Sequence, residues 1–285
     1  MRIANLDSRA TIVTDAGLID VERASAGKFS SSTDVLVGQL GELRSWLDEA
    51  RPHVSDPTLA SRLLEDPRLG PVVTRPSQVF AIGLNYRTHA LEMNLTPPSK
   101  PMVFTKFASS LGGANSSFPI PSARVDWESE LVVVIGKPGR HVARESAFDH
   151  VAGYCVGNDL SCRDLQMEGP SAQFSLGKSY ENFSPIGPWI TTIDEVATPD
   201  ALEITCEVNG VLYQDSNTSD MNFGVRELVS YISSVCELRA GDIIFTGSPH
   251  GVGQGQKPPI FLGVGDTVLT TIEGLGSIRN VGVAA

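Results

Sequence analysis

Residues 126–137 read DWESELVVVIGK. Leu131, Val132, Val133, Val134 and Ile135 form an unbroken apolar run dominated by β-branched side chains, which specifies a strand. Side chains alternate faces along a strand, so Glu128 and Glu130 point the same way, with Val132 and Val134 continuing that face. Trp127, Leu131, Val133 and Ile135 fall on the other. Both faces turn apolar within two residues of the acids, so a segment bound for the interior carries two carboxylates. Like charges this close raise at least one pKa unless something positive compensates. Spacing alone leaves several outcomes open: a strand end emerging into solvent, one protonated acid, neutralising arginines, or a cation between the pair.

A third acid narrows the choice. Asp159, in YCVGNDLSCRDLQ, follows the apolar run DHVAGYCVG, again where a strand ends. Three carboxylates at strand ends suit a hard divalent cation, Mg²⁺ or Mn²⁺, with Ca²⁺ also compatible. Three protein ligands leave positions for water or a chelating substrate. Zinc fits poorly, because the five histidines show no HxxxH or HExxH pairing.

Working outward, the texture from about Val79 is β-rich. VFAIGLN, PMVFTK, PWITTI, LEITCEVNGVLYQ, DIIFTG and DTVLTTIEGLGSIRNVGV favour strands by β-branched and aromatic content. Asn209-Gly210 between two such runs signals a hairpin, since both turn residues tolerate positive φ. Helical patterns are fewer; the clearest is VRELVSYISSVCEL, with Leu228, Ile232, Val235 and Leu238 on one stripe. Strands do not alternate regularly with helices, which argues against a doubly wound parallel sheet. The expected class is α+β, mainly β. A stretch rich in proline and arginine, RPHVSDPTLASRLLEDPRLGPVVTRPSQ, marks a seam between a small leading module, 1–72, and a main body, 73–285.

The net charge of −11 argues against nucleic-acid and anionic-membrane partners, yet local charge in a cleft can still hold an anionic substrate. No apolar run approaches the roughly 20 residues that span a bilayer, and the N-terminus has no basic start followed by an apolar stretch. Cys155, Cys162, Cys206 and Cys236 show neither CxxC pairing nor a dense framework. These features lead us to expect a soluble, cytoplasmic protein with reduced thiols.

In GLNYRTHALEMNLTPP, His89 and Glu92 stand three residues apart, on one face of a helix that Pro97 and Pro98 keep short. A carboxylate beside an imidazole raises its basicity and fixes its tautomer, as a general base needs; an exposed surface pair has the same spacing. Arg163, Gln166 and Lys178 follow Asp159, and Lys106 sits amid apolar neighbours. A lysine near a metal can polarise a carbonyl or hold an oxyanion. GDIIFTGSPHGVGQG places several glycines after a strand but matches neither a Walker A nor a dinucleotide fingerprint; a turn cupping a carboxylate and an ordinary loop remain open.

GLNYRTHALEM, DWESELVVVIGK, GYCVGNDLSCRDLQ, LGKSY and LRAGDIIFTGSPHGVG followed by VGDTV occur in the order found in the fumarylacetoacetate hydrolase family, which residues 75–283 resemble. The resemblance implies a mixed β-sandwich roll, usually a homodimer, with one divalent metal per site. It places ligation on Glu128, Glu130 and Asp159, and gives His89 and Glu92 the role of a water-activating dyad on a lid. It makes Lys178 the oxyanion contact and sets Arg163 and Gln166 near the substrate; Ser248, in the glycine segment, and Lys106, amid its apolar neighbours, are further candidates for substrate contact. His250 stands in a variant of the family's glycine loop and is given no role. The implied reaction is hydrolysis of a C–C bond in an acylpyruvate or other 2,4-diketo acid through a metal-stabilised enolate. Oxaloacetate decarboxylation, or isomerase or lyase chemistry on a related 2-keto acid, is the alternative. A structural Ca²⁺ in a protein that only binds small acids is a further one.

Overall fold

The run Ser129–Ile135 lies deep inside a ten-stranded mixed sheet. It pairs antiparallel with Val151–Asn158 on one side and Ile243–Phe245 on the other. Leu131, Val133 and Ile135 pack with Tyr154, Leu228 and Ile232. Val132 and Val134 face the opposite cluster, with Ala81, Ile186 and Phe245. Both faces are buried, as the alternation predicts, and each fully buried side chain of this size stabilises the fold by about 1.5–3 kcal/mol. The computed structural model describes residues 1–60 and 62–285, Ala60 by its backbone alone.

Beyond Ile243–Phe245 the sheet continues through Val79–Gly83, paired parallel, to Met102–Thr105. In the other direction Val151–Asn158 leads to Ser184–Thr192 and then to Arg2–Leu6, Arg9–Thr14 and Gly17–Asp20. The first strands of the chain therefore extend the same sheet, on the far side of the segment that carries the acids. A second, five-stranded sheet holds Val211–Asn217, Glu203–Val208, Thr267–Ile272, Gly276–Ala284 and Ser117–Ile120. Its first hairpin turns at Asn209 and Gly210, with φ of 52° and 78°, the paired positive values of a type I′ turn. The protein is α+β and mainly β, with short peripheral helices.

Two local expectations need correction. Trp127 does not share the Leu131 face, because the strand is interrupted just before Ser129. Val125–Asp126 forms a separate ribbon with Ser161–Cys162, and Trp127 packs with Phe118, Val125 and Phe183. The amides at the bend bond side chains: Trp127 to Asp126, Glu128 to Asn158 at 3.0 Å, and Ser129 to Gln214 at 2.9 Å. Val235 does not belong to the buried stripe either. The helix Val225–Ser233 stops before it, leaving Val235 70% exposed, while Leu238 is buried where it bridges to Gly139. All four cysteines are free thiols. Among the described residues no helix is long and apolar enough to cross a membrane.

Candidate metal centre and catalytic pocket

The bend and the strand ends bring the three acids together. One carboxylate oxygen from each of Glu128, Glu130 and Asp159 lies within 4.8 Å of the others, and all three residues are buried. Glu128 precedes the central strand, Glu130 lies within it, and Asp159 directly follows Val151–Asn158. The antiparallel register, Glu130 opposite Gly157 and Ser129 opposite Asn158, sets their spacing.

Their surroundings differ. Glu128 accepts hydrogen bonds from Arg163 Nη2 at 2.6 Å and Lys178 Nζ at 2.7 Å. Burial alone would raise its pKa, but Lys178, Arg163 and His89 outweigh burial and hold it well below the carboxylate range. Asp159 pairs with Lys178 at 2.7 Å and with Lys106. Glu130 accepts only the Gly247 amide, at 2.6 Å, and forms no ion pair among the described residues. Burial, reinforced by Asp159 and Glu128, pushes its pKa well up. Gly247 is suited to this contact: its φ is +100°, and a Cβ would lie 2.7 Å from that of Asn85.

A hard dication fits this oxygen set. Glu130 is a buried acid without a counter-cation, and its neighbours supply further anionic oxygens within reach of a shared centre. Glu128, Glu130 and Asp159 would hold the ion.

The side chains predicted near the substrate divide into two groups. Arg163 and Gln166 lie on the short helix Arg163–Gln166 and line a cavity of about 220 Å³, together with Glu128, His89, Lys178 and Ser248. Lys178 spends its three donors on Glu128, Asp159 and Ser161, so it is a fixed positive charge in the cavity floor. Burial opposes that charge, but Asp159 and Glu128 raise its pKa. Lys106 is not among the cavity-lining residues; its ammonium is buried against Asp159 and the Phe183 carbonyl. Its place is behind the acids rather than beside the substrate cavity.

His89 and Glu92 come together as the spacing predicts. Arg87–Glu92 is a helix, and His89 Nδ1 lies 3.0 Å from Glu92 Oε2. The helix ends before the two prolines. Asn94, at φ 57°, takes the left-handed position, and the Leu95 amide bonds back to the Ala90 carbonyl. Glu92 accepts the Gly251 amide at 2.9 Å. A Cβ on Gly255 would lie 2.4 Å from the Glu92 carboxyl carbon. The glycine loop therefore cups carboxylates: Glu92 through Gly251, and also Glu130 through Gly247 and Asp126 through Gly253. His250 sits against Thr88 at 3.2 Å and does not line the cavity.

Asp126 was not singled out by sequence reasoning. It is fully buried, receives Arg163 Nε at 2.9 Å and Nη2 at 2.7 Å, and accepts the Gly253 and Gln254 amides at 2.6 and 3.0 Å. It thus ties the arginine on Glu128 to the loop that supports Glu92. The only signal was an acid two residues before Glu128, and without a partner in view it read as part of the strand start.

The Fumarylacetoacetate (FAA) hydrolase C-terminal family model matches residues 78–283. A Xenopus laevis protein, "Oxaloacetate tautomerase fahd2, mitochondrial", is 45% identical over 210 residues, 73% of this chain and 66% of that protein. A Mycobacterium smegmatis structure, described only as a candidate HpcE protein, matches with a TM-score of 0.92 and 43% identity, each chain fully covered. The maleylpyruvate hydrolase of Sphingobium sp. SYK-6, solved with manganese (II) ion and pyruvate, matches with a TM-score of 0.80 and 28% identity, again over both full chains. Family members are enzymes, and their names span tautomerase, isomerase and hydrolase. With the matched model spanning most of the sequence and the acids, dyad and glycine loop in the expected order, the chain belongs to the fumarylacetoacetate hydrolase family.

Proposed function

We propose that the protein is a dication-dependent hydrolase that cleaves a C–C bond in an acylpyruvate or related 2,4-diketo acid. The observation that carries this reading is the His89–Glu92 pair: His89 is buried and lines the same cavity as Glu128 and Lys178, and the partly buried Glu92 holds its Nδ1 at 3.0 Å. Glu128, Glu130 and Asp159 would hold Mg²⁺ or Mn²⁺, which when bound supplies Lewis acidity to a chelating 2-oxo carboxylate. Glu92 holds the proton on His89 Nδ1, which leaves Nε2 to take a proton from water as the water's oxygen attacks the distal carbonyl. Lys178 supplies fixed positive charge where negative charge develops on that carbonyl oxygen. The bond between C3 and the former carbonyl carbon then breaks, its electron pair passes to C3, and the proton held by His89 is returned there. The products are pyruvate and a carboxylic acid.

A second reading is favoured by the Xenopus relative's name: keto–enol tautomerisation of oxaloacetate. His89 would then move a proton between carbon and solvent without a water attack. Product analysis with Mg²⁺ or Mn²⁺ and chelator controls separates the chemistries. The hydrolase releases pyruvate plus an acid from acetylpyruvate. A tautomerase equilibrates the forms of oxaloacetate with no bond broken, and a decarboxylase evolves CO₂. Oxaloacetate turnover with no cleavage of any acylpyruvate would overturn the hydrolase reading.

A further inference from the structure

We infer that the cavity selects a 2-oxo acid with a single carboxylate and an uncharged, apolar tail, and disfavours one whose tail ends in a second carboxylate. This rests on the site's reading as a 2-oxo acid site and commits it to one substrate class.

The first support is the wall facing the polar floor. Leu84, Met93, Leu95, Phe104, Met167 and Phe174 line it. Phe104 and Phe174 meet edge to face with centroids 5.4 Å apart, which makes that part of the wall a fixed surface. Leu95 and Met167 are 48% and 56% exposed. Half-exposed apolar side chains on a cavity wall gain from any apolar group that covers them. Methionine adapts to tails of different shape.

The second support is the state of the cations. Arg163 gives Nε and Nη2 to Asp126, Nη2 also to Glu128, and Nη1 to Gln166. Lys178 has three partners already. His89 Nδ1 is held by Glu92. Both strong cations are thus committed to the acidic floor; Lys178 reaches the wall only at Phe104, 5.5 Å from its ring centroid, with its three donors already taken. The remaining neutral donors are the amides of Gln166 and Gln254 and the hydroxyl of Ser248, which suit carbonyl oxygens. A carboxylate at the end of the tail would lose part of its water against Leu95, Met167 and Phe174 with no ion pair to replace it, and stripping water from an unpaired charge is unfavourable.

The test is calorimetric titration of the full-length, Mn²⁺-loaded protein with pyruvate, 2-oxohexanoate and 2-oxoadipate. None of the three has the second carbonyl that cleavage needs, and the last two have the same carbon count. The expected order is 2-oxohexanoate tightest, with a gain over pyruvate of up to about fourfold per added methylene and about tenfold or more over 2-oxoadipate. Met167→Lys, at a half-exposed position that tolerates a long polar side chain, should narrow or reverse the last ratio. Equal or tighter binding of 2-oxoadipate by the unmodified protein overturns the inference. Turnover of an acylpyruvate series is read separately: if the binding order holds and nothing is cleaved, the hydrolase reading fails and the tail preference stands. If none of the three acids binds, both fall.

Discussion

The two halves of the pocket are built in different ways. The acidic floor is set by central strands buried on both faces, and its geometry follows from strand register. The dyad wall rests on a six-residue helix, Arg87–Glu92, with no side-chain cap of its own. Contacts from elsewhere hold that helix: Glu92 on the Gly251 amide, and Asp220 accepting the Thr88 amide at 3.0 Å. The floor is rigid by construction, whereas the wall is rigid by tethering. Binding an ion and performing proton transfer should therefore be separable by mutation.

The largest separation is expected from His89→Ala. Turnover should fall by about 10²–10⁴, while Mn²⁺ affinity, read by electron paramagnetic resonance, stays within about twofold of the parent protein, because His89 is not one of the three ligands. Loss of Mn²⁺ binding in this variant would break the distinction between floor and wall. Asp126→Asn tests the link between them. Arg163 would lose its other anionic partner and compete for Glu128, weakening Mn²⁺ affinity or activity by about 10–100-fold. If the two functions are coupled through Asp126, the pH dependence of kcat should shift as well.

Glu130 provides a pH test of the floor. Its folded pKa is raised above its unfolded value, so the metal-free native state binds more protons than the unfolded one within that window. Stability of the metal-free protein should fall as pH rises from the ordinary glutamate range through the raised value. Mn²⁺ favours the ionised carboxylate, so binding should release a proton and tighten with pH. At a hundred times its dissociation constant the ion should add about 2.7 kcal/mol. Thermal melts with and without EDTA across pH, and dye-detected proton release, measure both. A melting curve that Mn²⁺ leaves unmoved would remove the floor's assigned role. The smallest effect belongs to the tether: Asp220→Ala should cost about 1 kcal/mol locally, or roughly fivefold in turnover, with Mn²⁺ affinity unaffected.

The floor was legible in the sequence because strand alternation is strict. Alternation places Glu130 on the face of Val132 and Val134, and Asp159 follows an apolar run; Glu128 was read from the same pleat, although the bend before Ser129 is what brings it beside them. The dyad was legible because three residues make nearly one helical turn. What escaped depends on contacts distant in the chain. Asp126 carries no spacing signal of its own, and its partners Arg163 and Gly253 appear only in the folded protein. Lys106 looked like Lys178, a lysine among apolar residues, and only the sheet decides that it approaches Asp159 from outside the cavity. Val235 continued a periodicity that the helix itself abandons at Ser233. Trp127 was assigned a face on the assumption of unbroken pleating, which the amide bonds to Asn158 and Gln214 interrupt.

Those borrowed amide partners bear on how the protein is made. Ser129 is oriented by Gln214, 85 residues later, and Glu130 by Gly247, 117 residues later. During synthesis, Glu130 leaves the ribosome well before the amide that aims it. A nascent chain ending short of Gly247 has the oxygens but lacks the amide that orients Glu130, so ion capture belongs to the last stage of assembly. Stalled chains of increasing length should acquire Mn²⁺ affinity only once the segment beyond Gly247 has emerged.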